Sequence, residues 1–276
     1  MQNETRKIKV ETIENEIIKN FLAKEGFNFK DHQYAFFRAS KDGITIILYE
    51  NQTLLFQGDS SLINKYFDKL RELISAPSMK PKILGLDESG KGDIFGPLVL
   101  AGAIIKNSDK INDYEIDDSK NLSDEKINLF FNKIKNNIIY KVRIIEPEEY
   151  NDLYEKHKNI NKIMTEEYKK LILSFDKNDY EKIILDKYSI SVEDIKYLKE
   201  GIDKPFEMYH KGERFSSVAI ASIVARFHFI EWFKNQNINL PKGTGEIATI
   251  RYKELKNTIP EKDLKKIAKI NFKIKV

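Results

Sequence analysis

The residues of this sequence that are best suited to chemistry are acidic. Asp87 and Glu88 are adjacent and follow a predicted strand, Asp186 ends the apolar run 183–185, and Glu213 precedes a long apolar helix. Ligands of open α/β sheets bind beyond the carboxyl ends of strands, so we expect these acids to lie close together. Neighbouring carboxylates repel one another unless a cation neutralises them, and Mg²⁺ and Mn²⁺ prefer oxygen ligands. The pattern therefore predicts a divalent metal site.

Each of these acids also has an ordinary structural explanation. The pair Asp87-Glu88 can be a solvated turn at a strand end, and so can Asp186 alone. Glu213 can be a charge in the first turn of a helix, where it interacts favourably with the helix dipole. We favour the metal site because the acids occur together at neighbouring strand and helix ends.

The segment 85–91 matches the phosphate-binding pattern GxxxxGK[ST] only up to its lysine. Gly92 stands where that pattern needs a hydroxyl for magnesium. Asp87 and Glu88 would also face the phosphates, and each repulsion is about 4 kcal/mol at 4 Å for an effective dielectric of 20. We therefore exclude a nucleoside-triphosphate site of this type.

Adjacent residues of a regular strand point to opposite faces. We therefore expect Asp87 and Glu88 to converge on one site only if the strand breaks there. Gly90 and Gly92 are expected to supply that break, and their bare backbone would let a ligand approach closely.

The elements that position these residues alternate between strand and helix from Ile83 onward, which indicates a mixed or parallel sheet covered by helices. Ser123, Pro147 and Ser191 are expected to begin helices. A helix from Phe215 to about Phe233 combines small and apolar residues nearly all round and should be buried against the sheet. The strands are predicted at 83–87, 97–105, 140–145, 182–186 and 206–210.

The first 75 residues predict a separate small α/β unit. Apolar residues at helical spacing over 13–22 are followed by Gly26 at the expected helix end. β-rich runs at 34–39, 44–49 and 53–56 predict antiparallel hairpins, and a second helix is expected over about 62–74. The segment 75–81 contains two prolines, and we place the domain boundary there, between 1–75 and 80–276.

Composition excludes several classes of protein. The chain of 276 residues is 41% hydrophobic and 33% charged, which favours a folded protein over a disordered one. It has no cysteine and four histidines, so any metal would be held by oxygen. We found neither a secretory signal nor an apolar run long enough to cross a bilayer, and we expect a cytoplasmic protein with no membrane partner. Residues 234–276 hold 11 Lys and Arg against 4 Asp and Glu, which suits a polyanion or a solvated face.

Several motifs together resemble the type 2 ribonuclease H family. They are DESGKGDIFGPLVLAGAII at 87–105, DDSKNL at 117–122, the strand-end Asp186, HKGE at 210–213 and AIASIVARF at 219–227. GKG in place of GRG, glutamate at 213 and the additional N-terminal unit resemble ribonuclease HIII. The resemblance implies a ribonuclease H-like α/β fold with a mixed sheet and flanking helices, preceded by a small α+β TBP-like domain that grips RNA–DNA hybrid.

The same resemblance implies roles for individual residues. Asp87, Glu88, Asp186 and Glu213 correspond to the acids that bind the catalytic Mg²⁺ or Mn²⁺ ions. The substrate-binding residues would be Ser89, Gly90, Lys91, Gly92, Ser119 and Lys120, with the glycine loop near the 2′-hydroxyl of the RNA strand. The segment 241–244 follows the C-terminal glycine motif of the family only loosely.

These observations predict a monomeric endonuclease that hydrolyses the RNA strand of RNA–DNA hybrids by a two-metal-ion mechanism. Two alternatives stay open. One is a ribonuclease HII that acts at single ribonucleotides in DNA, and the other is a hybrid-binding protein without catalysis.

Overall fold

The chain folds into two compact units, Met1–Pro81 and Lys82–Val276. The computed structural model describes residues 3–10, 14–75, 81–106 and 122–272. Within these ranges, no helix combines the length and the apolar character that crossing a membrane would require.

The N-terminal unit is a five-stranded antiparallel sheet with two helices on one face. The strand order is β1-β5-β4-β3-β2, so that the first strand of the chain pairs with the last of the unit. The elements are β1 (Asn3–Lys9), α1 (Glu14–Lys24), β2 (Asn28–Lys30), β3 (Ala35–Lys41), β4 (Ile44–Tyr49), β5 (Thr53–Asp59) and α2 (Ser60–Ser75). The predicted α/β unit and its hairpins are confirmed, whereas β1 and β2 were not predicted. The sequence NETRKIK of β1 is mostly polar and lacks the apolar run typical of a strand.

The core of this unit lies between the sheet and the two helices. Alternate residues of the strands, such as Ile46, Leu54 and Phe56, are fully buried against Ile18 of α1 and Ile63 of α2. The remaining strand residues point to the opposite face, as the two-residue period of a strand requires.

The second unit is built on a five-stranded mixed sheet in the order β10-β9-β6-β7-β8. The central strand β6 pairs in parallel with β9 on one side and antiparallel with β7 on the other. The strands are β6 (Ile83–Ser89), β7 (Leu98–Ile105), β8 (Ile138–Ile145), β9 (Lys182–Asp186) and β10 (Phe206–Tyr209). The predicted mixed sheet with flanking helices is confirmed.

Helices cover both faces of this sheet. Their starts agree with the sequence: Ser123 and Ser191 accept bonds from the backbone N–H groups three residues on, and Pro147 occupies the first turn of α4. The helices are α3 (Asp124–Ile134), α4 (Pro147–His157), α5 (Ile160–Ser174), α6 (Val192–Lys199), α7 (Ser216–Lys234), α8 (Glu246–Thr258) and α9 (Glu261–Leu264).

The two faces of the sheet have separate cores. Leu84 and Leu86 of β6 pack on the side of α5, whereas α7 packs with Val99 and Ala101 of β7 on the other side. The predicted burial of α7 is confirmed along its first half, where residues 216–221 are all buried. The alternation along β6 therefore decides which of its side chains meets which helix.

Helix α7 lies directly against the backbone of β6 at Gly85. A Cβ atom added to Gly85 would lie 2.2 Å from the carbonyl carbon of Ser217 and 2.4 Å from the nitrogen of Val218. Since these are backbone atoms, no side-chain rotation could make room. The absence of a side chain at Gly85 thus sets how closely α7 approaches the strand that carries Asp87.

The C-terminal segment of the unit closes over the loop that follows β6. The side chain of Lys269 is fully buried, and its ammonium donates to the carbonyl oxygens of Asp93 at 2.9 Å and Gly96 at 2.6 Å. The backbone N–H of Gly243 donates to Asp93 Oδ1. The loosely matching segment 241–244 therefore contacts the same loop through Gly243.

Candidate active site

Asp87 and Glu88 lie within β6, which continues through Ser89. The expectation that the strand breaks at these acids is wrong, because β6 stays paired with β7 as far as the pair Ser89 and Val99. On its other side β6 loses its partner earlier, since the last pair with β9 is Leu86 and Leu185. A gap therefore opens beside Asp87 and Glu88 where the parallel neighbour ends.

Asp87 points to the side of the sheet covered by α7. Its side chain is buried, with an exposed fraction of 5%. Its Oδ1 accepts the backbone N–H of Glu88 at 2.8 Å, and the hydroxyl of Ser222 on α7 is a second partner. Burial, followed by the negative charges of Glu88 and Asp186, raises the pKa of Asp87 well above its usual range. The site therefore concentrates negative charge without compensating it fully.

Glu88 points to the opposite side of the sheet, where it meets α5. Its Oε2 accepts the hydroxyl of Tyr168 at 2.7 Å, and its Oε1 lies 3.6 Å from the ammonium of Lys91. Burial raises the pKa of Glu88, while Tyr168 and Lys91 act in the other direction. Both acids nevertheless line one pocket at the gap beside β9.

Asp186 is the last residue of β9 and lies at that gap. Its Oδ1 accepts the backbone N–H of Gly212 at 2.7 Å. Gly212 begins the short 3₁₀ turn Gly212–Arg214, which also contains Glu213 and leads into α7. This bond attaches the turn that carries Glu213 to Asp186.

A pocket of about 310 Å³ gathers most of the residues singled out in the sequence. Asp87, Glu88 and Asp186 line it, but Glu213 is not among the lining residues. The complete lining is Asp87, Glu88, Ser89, Gly90, Lys91, Gly92, Asp186, Ser222 and Arg226. Ser119 and Lys120, also predicted to bind substrate, lie outside the described residues.

Gly90 forms the tight part of the pocket wall. Its φ of +83° is in the left-handed region, and a Cβ atom there would lie 2.1 Å from the carbonyl oxygen of Pro97. A side chain at this position is excluded on both counts. Gly92, by contrast, is exposed, and a Cβ atom added there would meet nothing within 4 Å.

Three residues of this site were not predicted as such. Ser222 and Arg226 are four residues apart on α7 and so share one face of the helix, a spacing that could have indicated them. Tyr168 lies 80 positions from Glu88 in a helix whose apolar pattern indicates only burial, so no sequence signal identifies it.

The chemistry of these side chains fits a divalent cation. Three carboxylates line one pocket, the pKa values of two are raised by burial, and their oxygen atoms are the ligands that Mg²⁺ and Mn²⁺ prefer. Over the ranges described, however, no three acidic or histidine side chains are gathered tightly enough to hold one ion. The donors are thus present around the pocket without a preassembled metal cage.

Comparison with known proteins identifies one family over nearly the whole length of the chain. A family model described as ribonuclease HII matches residues 84–275. Ribonuclease HIII of Aquifex aeolicus (strain VF5) is 34% identical over 274 residues, which cover 97% of this chain and 99% of the relative. Ribonuclease HIII of Protochlamydia amoebophila (strain UWE25) is 33% identical over 91% of this chain and 89% of the relative.

Solved structures of two similar proteins support the fold. The crystal structure of Aquifex aeolicus RNase H3 matches with a TM-score of 0.58 at 32% identity, covering 96% of this chain and 99% of that one. Bst-RNase HIII, crystallised in complex with Mn²⁺, matches with a TM-score of 0.66 at 24% identity over 98% and 96% of the two chains. The chain therefore belongs to the ribonuclease HII family, also called type 2 ribonucleases H, and within it to the ribonuclease HIII group of endoribonucleases.

Proposed function

We propose that this chain hydrolyses the RNA strand of RNA–DNA hybrids with two divalent metal ions, Mg²⁺ or Mn²⁺. The observation that carries the proposal is the pocket in which Asp87, Glu88 and Asp186 meet the loop 89–92. A protein that only bound nucleic acid would gain nothing by turning three carboxylates toward phosphates. Family membership supports the same conclusion.

The residues of the site have different proposed roles, which follow from their chemistry. Asp87, Glu88, Asp186 and Glu213 would hold the metal. When bound, such ions lower the pKa of a water molecule and stabilise the leaving oxygen. Ser222 and the backbone N–H of Glu88 fix the orientation of Asp87.

The pocket wall is suited to contact with the substrate backbone. Gly92 leaves backbone groups open to a close approach, and the ammonium of Lys91 and the guanidinium of Arg226 lie in the same pocket wall. Cations bind the phosphates, while hydrogen bonds to the 2′-hydroxyl distinguish RNA from DNA. Ser89 and Gly90 complete this proposed RNA-binding loop, and Ser119 and Lys120 remain predicted contacts.

Residues 1–75 are proposed to form the domain that grips the hybrid, and the face of its sheet away from the helices supports this role. We call this the open face. The register places Lys7 and Lys9 of β1 beside Leu55 and Thr53 of β5, on the side opposite to the buried Leu54 and Phe56. Asp59, at the end of the same face, accepts bonds from the backbone N–H and the hydroxyl of Ser61 in the first turn of α2. The basic and aromatic residues of the open face are Lys7, Lys9, Lys30, Phe36, Arg38 and Tyr49.

Neutralising two cations of the open face is expected to weaken hybrid binding and flatten its salt dependence. Each lost phosphate contact should reduce the slope of log affinity against log salt by about 0.7 to 0.9. We suggest Lys7→Gln with Lys9→Gln, measured by titration of a labelled hybrid across several salt concentrations. The matched control is Lys19→Gln with Lys24→Gln, two exposed lysines of α1 on the helical side of the same unit. Equal slopes for the two double variants would contradict a role for the open face.

Cleavage is expected to require a divalent cation and an RNA–DNA hybrid. We suggest incubating the chain in Mg²⁺ or Mn²⁺ with three labelled duplexes: a continuous hybrid, a DNA duplex with one ribonucleotide, and plain DNA. Only the continuous hybrid should be cut efficiently, and EDTA should stop cleavage because the acids then hold no metal. Cleavage in EDTA would contradict the mechanism.

The same assay separates the alternatives. Preferential cutting at the single ribonucleotide would indicate ribonuclease HII activity, and tight hybrid binding without any cleavage would indicate a silent binder. The observation against the silent binder is that three acids line the pocket.

A further inference from the structure

A buried tyrosine contacts one of the candidate metal-binding acids from behind. Tyr168 lies on α5 with an exposed fraction of 0%, and its hydroxyl donates to Glu88 Oε2 at 2.7 Å. Tyr168 is not a pocket-lining residue, so it reaches the site only through Glu88. The other oxygen of Glu88, Oε1, lies 3.6 Å from Lys91, whose side chain does line the pocket.

The ring of Tyr168 is held in place by a second tyrosine. The rings of Tyr168 and Tyr188 stack with their centroids 5.9 Å apart and their planes within 19°. The hydroxyl of Thr165 donates to the carbonyl oxygen of Asn161, so in the 2.8 Å contact between Thr165 and Tyr188 the tyrosine is the donor. Tyr188 thus directs its proton to Thr165, and Tyr168 directs its proton to Glu88.

The hydroxyl of Tyr168 is not needed for packing. A phenylalanine would fill the same volume, and burying a hydroxyl is unfavourable unless it finds a partner. Its partner here is the carboxylate of Glu88, whose side chain is only 14% exposed, and hydrogen bonds to charged groups are stronger than those between neutral groups. The bond fixes Oε2 and leaves Oε1 as the oxygen nearer to the lysine of the pocket wall.

We propose that Tyr168 is a positioning residue that orients the carboxylate of Glu88 for binding a divalent cation. The inference rests on the proposed function, because it requires Glu88 to be a metal-binding residue. Carboxylates that bind metals are commonly oriented by hydrogen bonds from residues behind them, and losing such a partner typically lowers metal affinity or activity 10- to 100-fold.

The test is the affinity for Mn²⁺ alone, measured by isothermal titration calorimetry on the full chain without nucleic acid. Tyr168→Phe is expected to weaken Mn²⁺ binding by roughly 10- to 100-fold. Tyr188→Phe is the matched control, since it removes a buried tyrosine hydroxyl from the same stacked pair without touching an acid. Its Mn²⁺ affinity should equal that of the unmodified chain, and melting temperatures should show that both variants are folded.

Glu88→Gln distinguishes a failure of this inference from a failure of the proposed function. If Glu88→Gln binds Mn²⁺ as tightly as the unmodified chain, Glu88 is not a metal-binding residue and the proposed site itself is wrong. If Glu88→Gln loses affinity and Tyr168→Phe does not, the site stands and the role of Tyr168 is overturned. Equal losses for Tyr168→Phe and Tyr188→Phe would also overturn it, since packing would then explain both.

A double variant shows whether Tyr168 acts through Glu88. In the background of Glu88→Gln, adding Tyr168→Phe is expected to change Mn²⁺ affinity no further, because residues that act as one unit are not additive. A full additional loss in the double variant would overturn the inference.

Discussion

Replacing Asp87 with asparagine is expected to reduce RNA cleavage by at least about 10²-fold while hybrid binding persists. Asparagine has nearly the same size and keeps an oxygen that can accept the N–H of Glu88. It lacks the negative charge that a metal ion needs, so the change removes chemistry and leaves the backbone in place. Steady-state cleavage and a separate hybrid titration in EDTA measure the two effects. More than about a tenth of the original turnover would contradict the assignment of Asp87.

The same substitution should leave stability unchanged or raise it. Burial and the charges of Glu88 and Asp186 raise the pKa of Asp87 well above its usual range, which means that its charged form is unfavourable in the folded chain. A neutral side chain of the same shape removes that repulsion. Asp152→Asn, at an exposed position of α4, is the control and should alter neither turnover nor melting temperature.

Replacing Gly85 with alanine is expected to destabilise the second unit by about 3 kcal/mol, at the upper end of the usual range for overpacking. The added Cβ would lie 2.2 to 2.4 Å from backbone atoms of Ser217 and Val218, so α7 itself must move. That movement would also displace Ser222 and Arg226 from the pocket, and residual activity should fall with stability. The midpoint of urea unfolding measures the change.

Trp232 is well placed to report this unfolding. It is the only tryptophan of the chain and lies in the last turns of α7, so its fluorescence follows the second unit alone. Gly92→Ala is the control, because a Cβ atom at Gly92 meets nothing within 4 Å and should change stability by less than about 0.5 kcal/mol. A similar urea midpoint for Gly85→Ala and Gly92→Ala would show that α7 can adjust without cost.

The sequence predicted well those elements whose own residues specify them. Helix α7 was predicted within one residue at each end, because small and apolar residues cover nearly its whole surface. The candidate acids could be identified because carboxylates at strand ends are conspicuous. Strand β1 was missed because its stability comes from pairing with β5, about 50 residues away, and its polar sequence contains no sign of that partner.

The geometry of the site could not be derived from local pattern. The sequence pattern predicts that Asp87 and Glu88 converge because their own strand breaks. In the structure, β6 is continuous through both residues, and it is the pairing of β6 with β9 that ends before them. Tyr168 could not be recognised because its proposed role depends on a contact between a helix and a strand that lie 80 positions apart in the sequence. In the sequence, Gly85 is notable only as the first residue of a phosphate-loop pattern. In the structure, it matters because its missing side chain lets α7, which is far away in the sequence, pack against β6.

Because Lys269 is buried, its ammonium loses a proton more readily in the folded chain than in the unfolded chain. Burial lowers the pKa of its ammonium from 10.5 to about 7. Between these two values the folded chain has released a proton that the unfolded chain still holds, so unfolding takes up a proton. The contribution of this residue to stability therefore rises with pH across that window, by up to about 1.4 kcal/mol per pH unit, and the cost of burying the charge is fully present below pH 7. The contact of Lys269 with the loop that leads from β6 to β7 thus contributes least to stability below pH 7 and most above about pH 10.5.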